Sequence, residues 1–126
     1  MTGNALAERI AYLALEKKGK DITILDLRGL SDITDFFVIV TCESDIQVKT
    51  IASHVEKELR NEKIRVLHKE GFNKSNWVLL DYIEVVLHIF REETREYYAL
   101  ERLWADAKMT KVEDDAGIRV VSENSN

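Results

Sequence analysis

Apolar and polar positions alternate along this chain in two distinct periods. Near the start, Leu6, Ile10, Leu13 and Ala14 recur at helical spacing, behind Thr2 or Asn4 as a cap and ahead of Gly19 as a stop. Residues 22–27, ITILDL, read as a strand, and Arg28-Gly29 marks a turn. Residues 36–42, FFVIVTC, are apolar at successive positions, as in a strand covered on both faces. Ser44 opens a second helix, with Gln47 three residues on completing an S-x-x-Q capping box. Its stripe is Val48, Ile51, Ala52, Val55 and Leu59. Residues 64–69, 77–81 and 84–90 read as three further strands. Glu92 and Glu93 at the start and Arg102 near the end suit the dipole of a last helix over 92–105.

The expected order is αββαβββα, an α/β (α+β) fold with a mixed sheet of about five strands packed by helices. The second strand, helix and third strand should form a right-handed crossover, which makes those two strands parallel. Short connections elsewhere suit antiparallel pairing. There is no proline, repeat or low-complexity linker. Residues 1–108 therefore read as a single domain and 109–126 as a loosely ordered C-terminal tail.

Composition narrows the function classes. A chain of 126 residues, 45% hydrophobic and 33% charged, is ordinary for a soluble globular domain. The lone Cys42 excludes an internal disulfide and a multi-cysteine zinc site, which fits a reducing compartment. No segment reaches the roughly 18 apolar residues that span a bilayer, and residues 1–19 read as an amphipathic helix rather than a signal peptide. A cytoplasmic protein with no membrane partner is expected. The net charge of −5 argues against direct nucleic-acid binding, which rests on basic patches. It suits a basic protein partner, or simply solubility.

Reactive constellations are scarce. His54, His68 and His88 form no H-x-x-x-H or H-x-H pattern, so they read as structural or surface histidines with no metal and no cofactor. His88 is the only polar side chain on the row it shares with Val86 and Phe90; it reads as structural, with a hydrogen bond to Asp81 or Glu84 at a partner-facing edge as the alternative. Asp26, Asp35, Asp81 and Glu84 could serve a nucleotidyltransferase-like, metal-dependent enzyme, the alternative reading. Residues 81–84 nevertheless lack D-x-D spacing, and no Gly-Ser dipeptide precedes them. Cys42, just before the second helix, reads as a buried, inert thiol. On the last helix Tyr97, Leu100, Leu103 and Trp104 share one side and read as core. Tyr98 lies off that stripe beside Glu101 and Arg102, as a contact residue or a plain surface tyrosine. Trp77, opening a strand after the polar turn 73–76, is the other candidate anchor.

Several separated motifs carry a resemblance. D-x-R-G-x-S at 26–31, Ser44-Asp45 with Gln47-Val48, Trp77 with Asp81, and R-E-x-Y-x-L-E-x-L-W at 95–104 resemble the Iojap family of ribosomal silencing factors, over about residues 21–107. The resemblance implies a nucleotidyltransferase-like fold without the catalytic site. It further implies a protein that binds the large ribosomal subunit through that subunit's ribosomal protein number fourteen. There it would block joining of the small subunit, repress translation, assist subunit maturation, and form a homodimer when free. Trp77, Asp81, Tyr82, His88, Tyr98, Glu101 and Arg102 are the partner-binding residues it suggests. Cys42, Ile46 and Ile83-Glu84 depart from the family pattern, which usually has glycine at the first and a Gly-Asp turn at the last.

Overall fold

A computed structural model describes residues 1–114 and 118–124, with side chains to residue 113. In chain order the elements are α1 (Gly3–Glu16), β1 (Lys20–Asp26), β2 (Phe36–Cys42), α2 (Asp45–Asn61), β3 (His68–Glu70), β4 (Trp77–Asp81), β5 (Val85–Arg91), α3 (Glu92–Tyr98), α4 (Leu100–Leu103), β6 (Lys108–Asp114) and β7 (Ile118–Asn124). The strands form one seven-stranded sheet ordered β3-β4-β5-β2-β1-β6-β7. Only β2 and β5 are parallel neighbours; every other pairing is antiparallel. The mixed α+β class is as expected.

Two apolar layers sandwich this sheet. On one face the α1 stripe Leu6, Ile10, Leu13 and Ala14 and the α2 stripe Val48, Ile51, Val55 and Leu59 are buried against Ile22, Val38, Val40, Leu80, Leu87 and Ile89. The helical period of 3.6 and the strand period of 2 thus meet on a common surface. Each fully buried Leu or Ile there contributes about 1.5–3 kcal/mol. Among the described residues the second face is covered by the α3–α4 segment, over Leu25, Leu27, Ile39 and Phe90, with Phe37, Trp77, Trp104 and Met109 partly open. That asymmetry leaves the second face the more open of the two.

The helix caps follow the sequence. Thr2 Oγ1 accepts from Ala5 N, and Ser44 Oγ accepts from Gln47 N at 3.1 Å while Gln47 Oε1 accepts from Glu43 N at 2.8 Å. Gly19 is not the left-handed stop of α1, because Lys18 takes that conformation at φ 66°. Glycine is needed there because a Cβ would lie 2.6 Å from Val40 Cγ1.

Four expectations change. First, β3 is a three-residue edge strand paired only with β4, so the parallel partner that α2 leads to is β5. β3 does run in the same direction as β2, with β4 and β5 between them. Ile64 and Val66 pack against the helix-side core instead of joining a ladder. Second, the last helix breaks at Ala99, which sits at φ 46°, ψ 56° between α3 and α4. Third, that break shifts the stripe: Leu100 is buried, whereas Tyr97 is 81% and Leu103 72% exposed. Fourth, the segment from 109, expected to be loose, supplies β6 and β7. β6 pairs along β1 from Ile22↔Val112 to Asp26↔Lys108, satisfying the backbone groups of an otherwise bare edge. Residues 115–117 and 125–126 of that segment lie outside the described residues.

Candidate functional site

The open face of the sheet carries a row of aromatic rings. β4 presents Trp77 beside Phe90 of β5, its register partner, with ring centroids 4.9 Å apart. Tyr98, at the end of α3, lies over Trp77 at 4.5 Å and stays 46% exposed. His88 packs edge-on to Phe37 at 4.4 Å, and Phe37 meets Trp104 at 6.2 Å. Such tilted and edge-to-face contacts are the favoured geometries of ring quadrupoles. The result is a continuous aromatic strip, half-buried, running from Tyr98 to Trp104.

Two backbone features position Trp77. The turn before β4 folds on Ser75 N donating to Gly71 O at 3.0 Å and Ser75 Oγ donating to Phe72 O at 3.1 Å. Gly71 stands at φ 92°, and a Cβ there would lie 1.9 Å from Trp77 O, so no other residue fits. The Trp77 indole Nε1–H donates to His88 Nδ1 at 3.1 Å. An indole can only donate, so His88 must keep its proton on Nε2. Nε2 is buried without a partner among the described residues, and burial holds the imidazole far below its usual range, at about 4. His88 is thus a neutral strut beneath Trp77; it reaches neither Asp81 nor Glu84, and at 4% exposure it lies inside the face rather than at its edge.

Arg95 of α3 holds the covering segment down, a role the sequence did not single out. Its guanidinium donates to Asp21 O at 2.6 Å, Thr41 Oγ1 at 2.8 Å, Thr23 Oγ1 at 3.1 Å and Glu101 Oε2 at 3.0 and 3.1 Å. One side chain therefore links β1, β2 and both sides of the Ala99 break. The conspicuous signal was the REYYALERLW run itself, but one-dimensional spacing cannot show that Arg95 faces inward.

The remaining expected residues scatter around this strip. Asp81, on the same face of β4, spends Oδ1 on Ile83 N at 2.8 Å. Tyr82 falls on the opposite side of the strand and is buried in the helix-covered core; burial raises its hydroxyl, which has no partner among the described residues. Strand alternation is the reason: Asp81 and Tyr82 cannot share a face. Glu101 is tied to Arg95, and Arg102 is exposed beside a cleft of about 830 Å³ lined by Thr23, Thr41, Arg95, Glu96 and Lys111. Trp77, His88 and Tyr98 are brought together; Glu101 and Arg102 lie apart from them, by the cleft over β1 and β6; Tyr82 is on the other face.

Asp26 accepts from Arg28 at 2.7 Å, a hydrogen bond that lowers its carboxyl. Among the described residues no three His, Cys, Asp or Glu side chains converge to hold a metal. Burial pushes the Cys42 thiol up to about 12, which keeps it protonated and unreactive. No helix among the described residues is long and apolar enough to cross a membrane.

A family model described as "Ribosomal silencing factor during starvation" matches residues 1–126. The chain belongs to that family. A Bacillus subtilis relative named ribosomal silencing factor RsfS is 39% identical over 98 residues, 78% of this chain and 83% of its own length. A maize relative named chloroplastic Iojap is 32% identical over 103 residues, covering 82% of this chain but 45% of the longer maize protein. A crystal structure of a Chromobacterium violaceum protein superposes at a TM-score of 0.80 with 31% identity, over 82% of this chain and 87% of that one. Membership of the ribosomal silencing factors agrees with the Iojap resemblance read from the motifs.

Proposed function

We propose that this chain is a non-catalytic cytoplasmic factor that binds the large ribosomal subunit through ribosomal protein number fourteen. Once seated there it sterically prevents the small subunit from joining and so represses translation; occupancy of an unfinished subunit also serves its maturation. The observation that carries this reading is the half-exposed aromatic strip. Trp77 and Tyr98 offer large apolar area with a polar edge, the residue types that dominate binding energy at protein interfaces. Asp81, Glu101 and Arg102 add polar contacts beyond the strip, while His88 and Tyr82 act from below by fixing the strands. The chain's net charge of −5 favours a basic protein as the landing site over bare phosphate backbone. Free molecules pair as homodimers.

Sedimentation tests the proposal. Purified large and small subunits are mixed with and without the protein and resolved on a gradient. Full ribosomes should fall as the protein travels with the large subunit. Trp77→Ala should weaken that binding by about 2 kcal/mol, roughly 30-fold. Undiminished ribosomes with the protein left at the top of the gradient would refute the reading.

A further inference from the structure

A second surface lies at the far end of β4 from Trp77, in the turn that leads into β5. Ile83 there has φ 75° and is 60% exposed. A β-branched residue in left-handed backbone is a true outlier, since its Cβ crowds the neighbouring carbonyl and glycine would sit there without strain. Four hydrogen bonds hold it in place: Ile83 N to Asp81 Oδ1 at 2.8 Å, Thr34 Oγ1 to Ile83 O at 3.0 Å, Tyr82 N to Val85 O at 2.8 Å and Glu84 N to Tyr82 O at 3.0 Å. The Thr34 bond also brings in the loop between β1 and β2. Asp35 N and Phe36 N both donate to Glu84 O at 3.0 Å, closing that loop on the turn. The loop displays Ile33, which at 89% is the most exposed large apolar residue among those described.

Two exposed isoleucines thus stand on segments tied together by the Thr34–Ile83 hydrogen bond, one of them against its own backbone preference. Asp32 precedes Ile33, Glu84 follows Ile83, and Asp35 joins Glu84 through the backbone; none of the three is in an ion pair among the described residues, although Asp35 also feels the Arg28 guanidinium. Exposed apolar side chains with acidic residues next to them in the chain fit an apolar side chain carried on a basic polypeptide. They do not fit a second copy, whose acidic residues would repel these, or nucleic-acid phosphate.

We propose that Ile33 and Ile83 form a second docking point, separate from the Trp77 strip, for a basic protein segment of the large ribosomal subunit. The proposal rests on the subunit-binding reading above. Backbone strain held at an exposed side chain is what such a role leaves behind, because stability alone would select glycine.

The distinguishing variants are Ile83→Gly and Ile33→Ser. Binding is titrated by co-sedimentation with purified large subunits, melting is followed by circular dichroism, and oligomeric state by analytical ultracentrifugation. Ile83→Gly should melt about 3 °C or more higher, as relieved strain requires, yet bind at least fivefold more weakly. Ile33→Ser should melt as the wild type and bind about fivefold more weakly, and the double variant about 25-fold, the product expected of independent contacts. Stability and binding moving in opposite directions at one residue cannot come from partial unfolding. Wild-type affinity in both variants overturns the docking point and leaves the Trp77 reading standing. So does a change confined to oligomeric state, which would make the patch a self-association surface. A lower melting temperature for Ile83→Gly overturns the strain argument and the proposal with it. Failure of the wild type itself to sediment with the subunit overturns both readings.

Discussion

His88 gives the sharpest physical test of the aromatic strip. The ring is 4% exposed among Trp77, Phe37 and Phe90, and burial holds it at about 4 in the folded protein. In the unfolded chain it titrates near ~6.5. Between those values the unfolded state takes up a proton that the folded state refuses. The stability contributed by the neutral ring is therefore complete above pH ~6.5, drains away as pH falls toward 4, and is constant below that. With the folded ring at about 4, the loss amounts to about 3 kcal/mol. His88→Leu removes the titration at the expense of Trp77's acceptor, an offset that does not vary with pH. Urea unfolding of both proteins, in steps from pH 8 to pH 4, gives a difference curve. Asp26 beside Arg28 and Glu16 beside His54 titrate alike in both and cancel. The wild type should lose about 3 kcal/mol relative to the variant across that range. A flat difference would mean the ring is hydrated or finds an acceptor for Nε2, and the strut beneath Trp77 would not be the buried neutral one described.

Other outcomes follow from the covering segment. Arg95→Met strips donors from Glu101, Thr23 and Thr41 at once and should lower stability by about 3 kcal/mol, read as a fall in the urea midpoint. It should also weaken subunit binding, because Tyr98 is no longer held over Trp77. Ala99→Gly places a residue without a Cβ at φ 46° and should stabilise the fold by about 1 kcal/mol; an unchanged or lower melting temperature would show that the left-handed break is unstrained.

Much of this architecture was legible because local rules and tertiary packing agreed. The α1 and α2 stripes, the Ser44–Gln47 capping box and the buried run FFVIVTC each state their own environment. Three things were not legible. The break at Ala99 has no glycine or proline to announce it; its left-handed turn is held by Arg95 and Glu101 reaching around it, a tertiary effect. That turn is why Tyr97 and Leu103 point outward although their spacing reads as core. β6 was hidden because its strand pattern is mixed with charge, and only the unpaired edge of β1 shows why it orders. The site was half legible: Trp77 and Tyr98 stood out as large aromatics in polar company, whereas the side of β4 taken by Tyr82 depended on a register no single strand reveals.

The order of strands also decides when this chain can fold. β2 finds its parallel neighbour β5 only after residues 43–84 have been made, and β1 waits for β6 to cover its other side. Leu87 and Ile89, which belong to the core that α1 and α2 share, come from the same late strand. Loop-closure entropy must be met before those distant contacts return anything, so the sheet closes slowly from its centre. A nascent chain ending short of residue 85 would carry the hairpin β1–β2 with FFVIVTC bare on one side, without charge or proline to discourage pairing with another chain. Synthesis of this protein therefore has a vulnerable interval that ends all at once, when the last third of the sequence arrives and both flanks of the central hairpin are covered together.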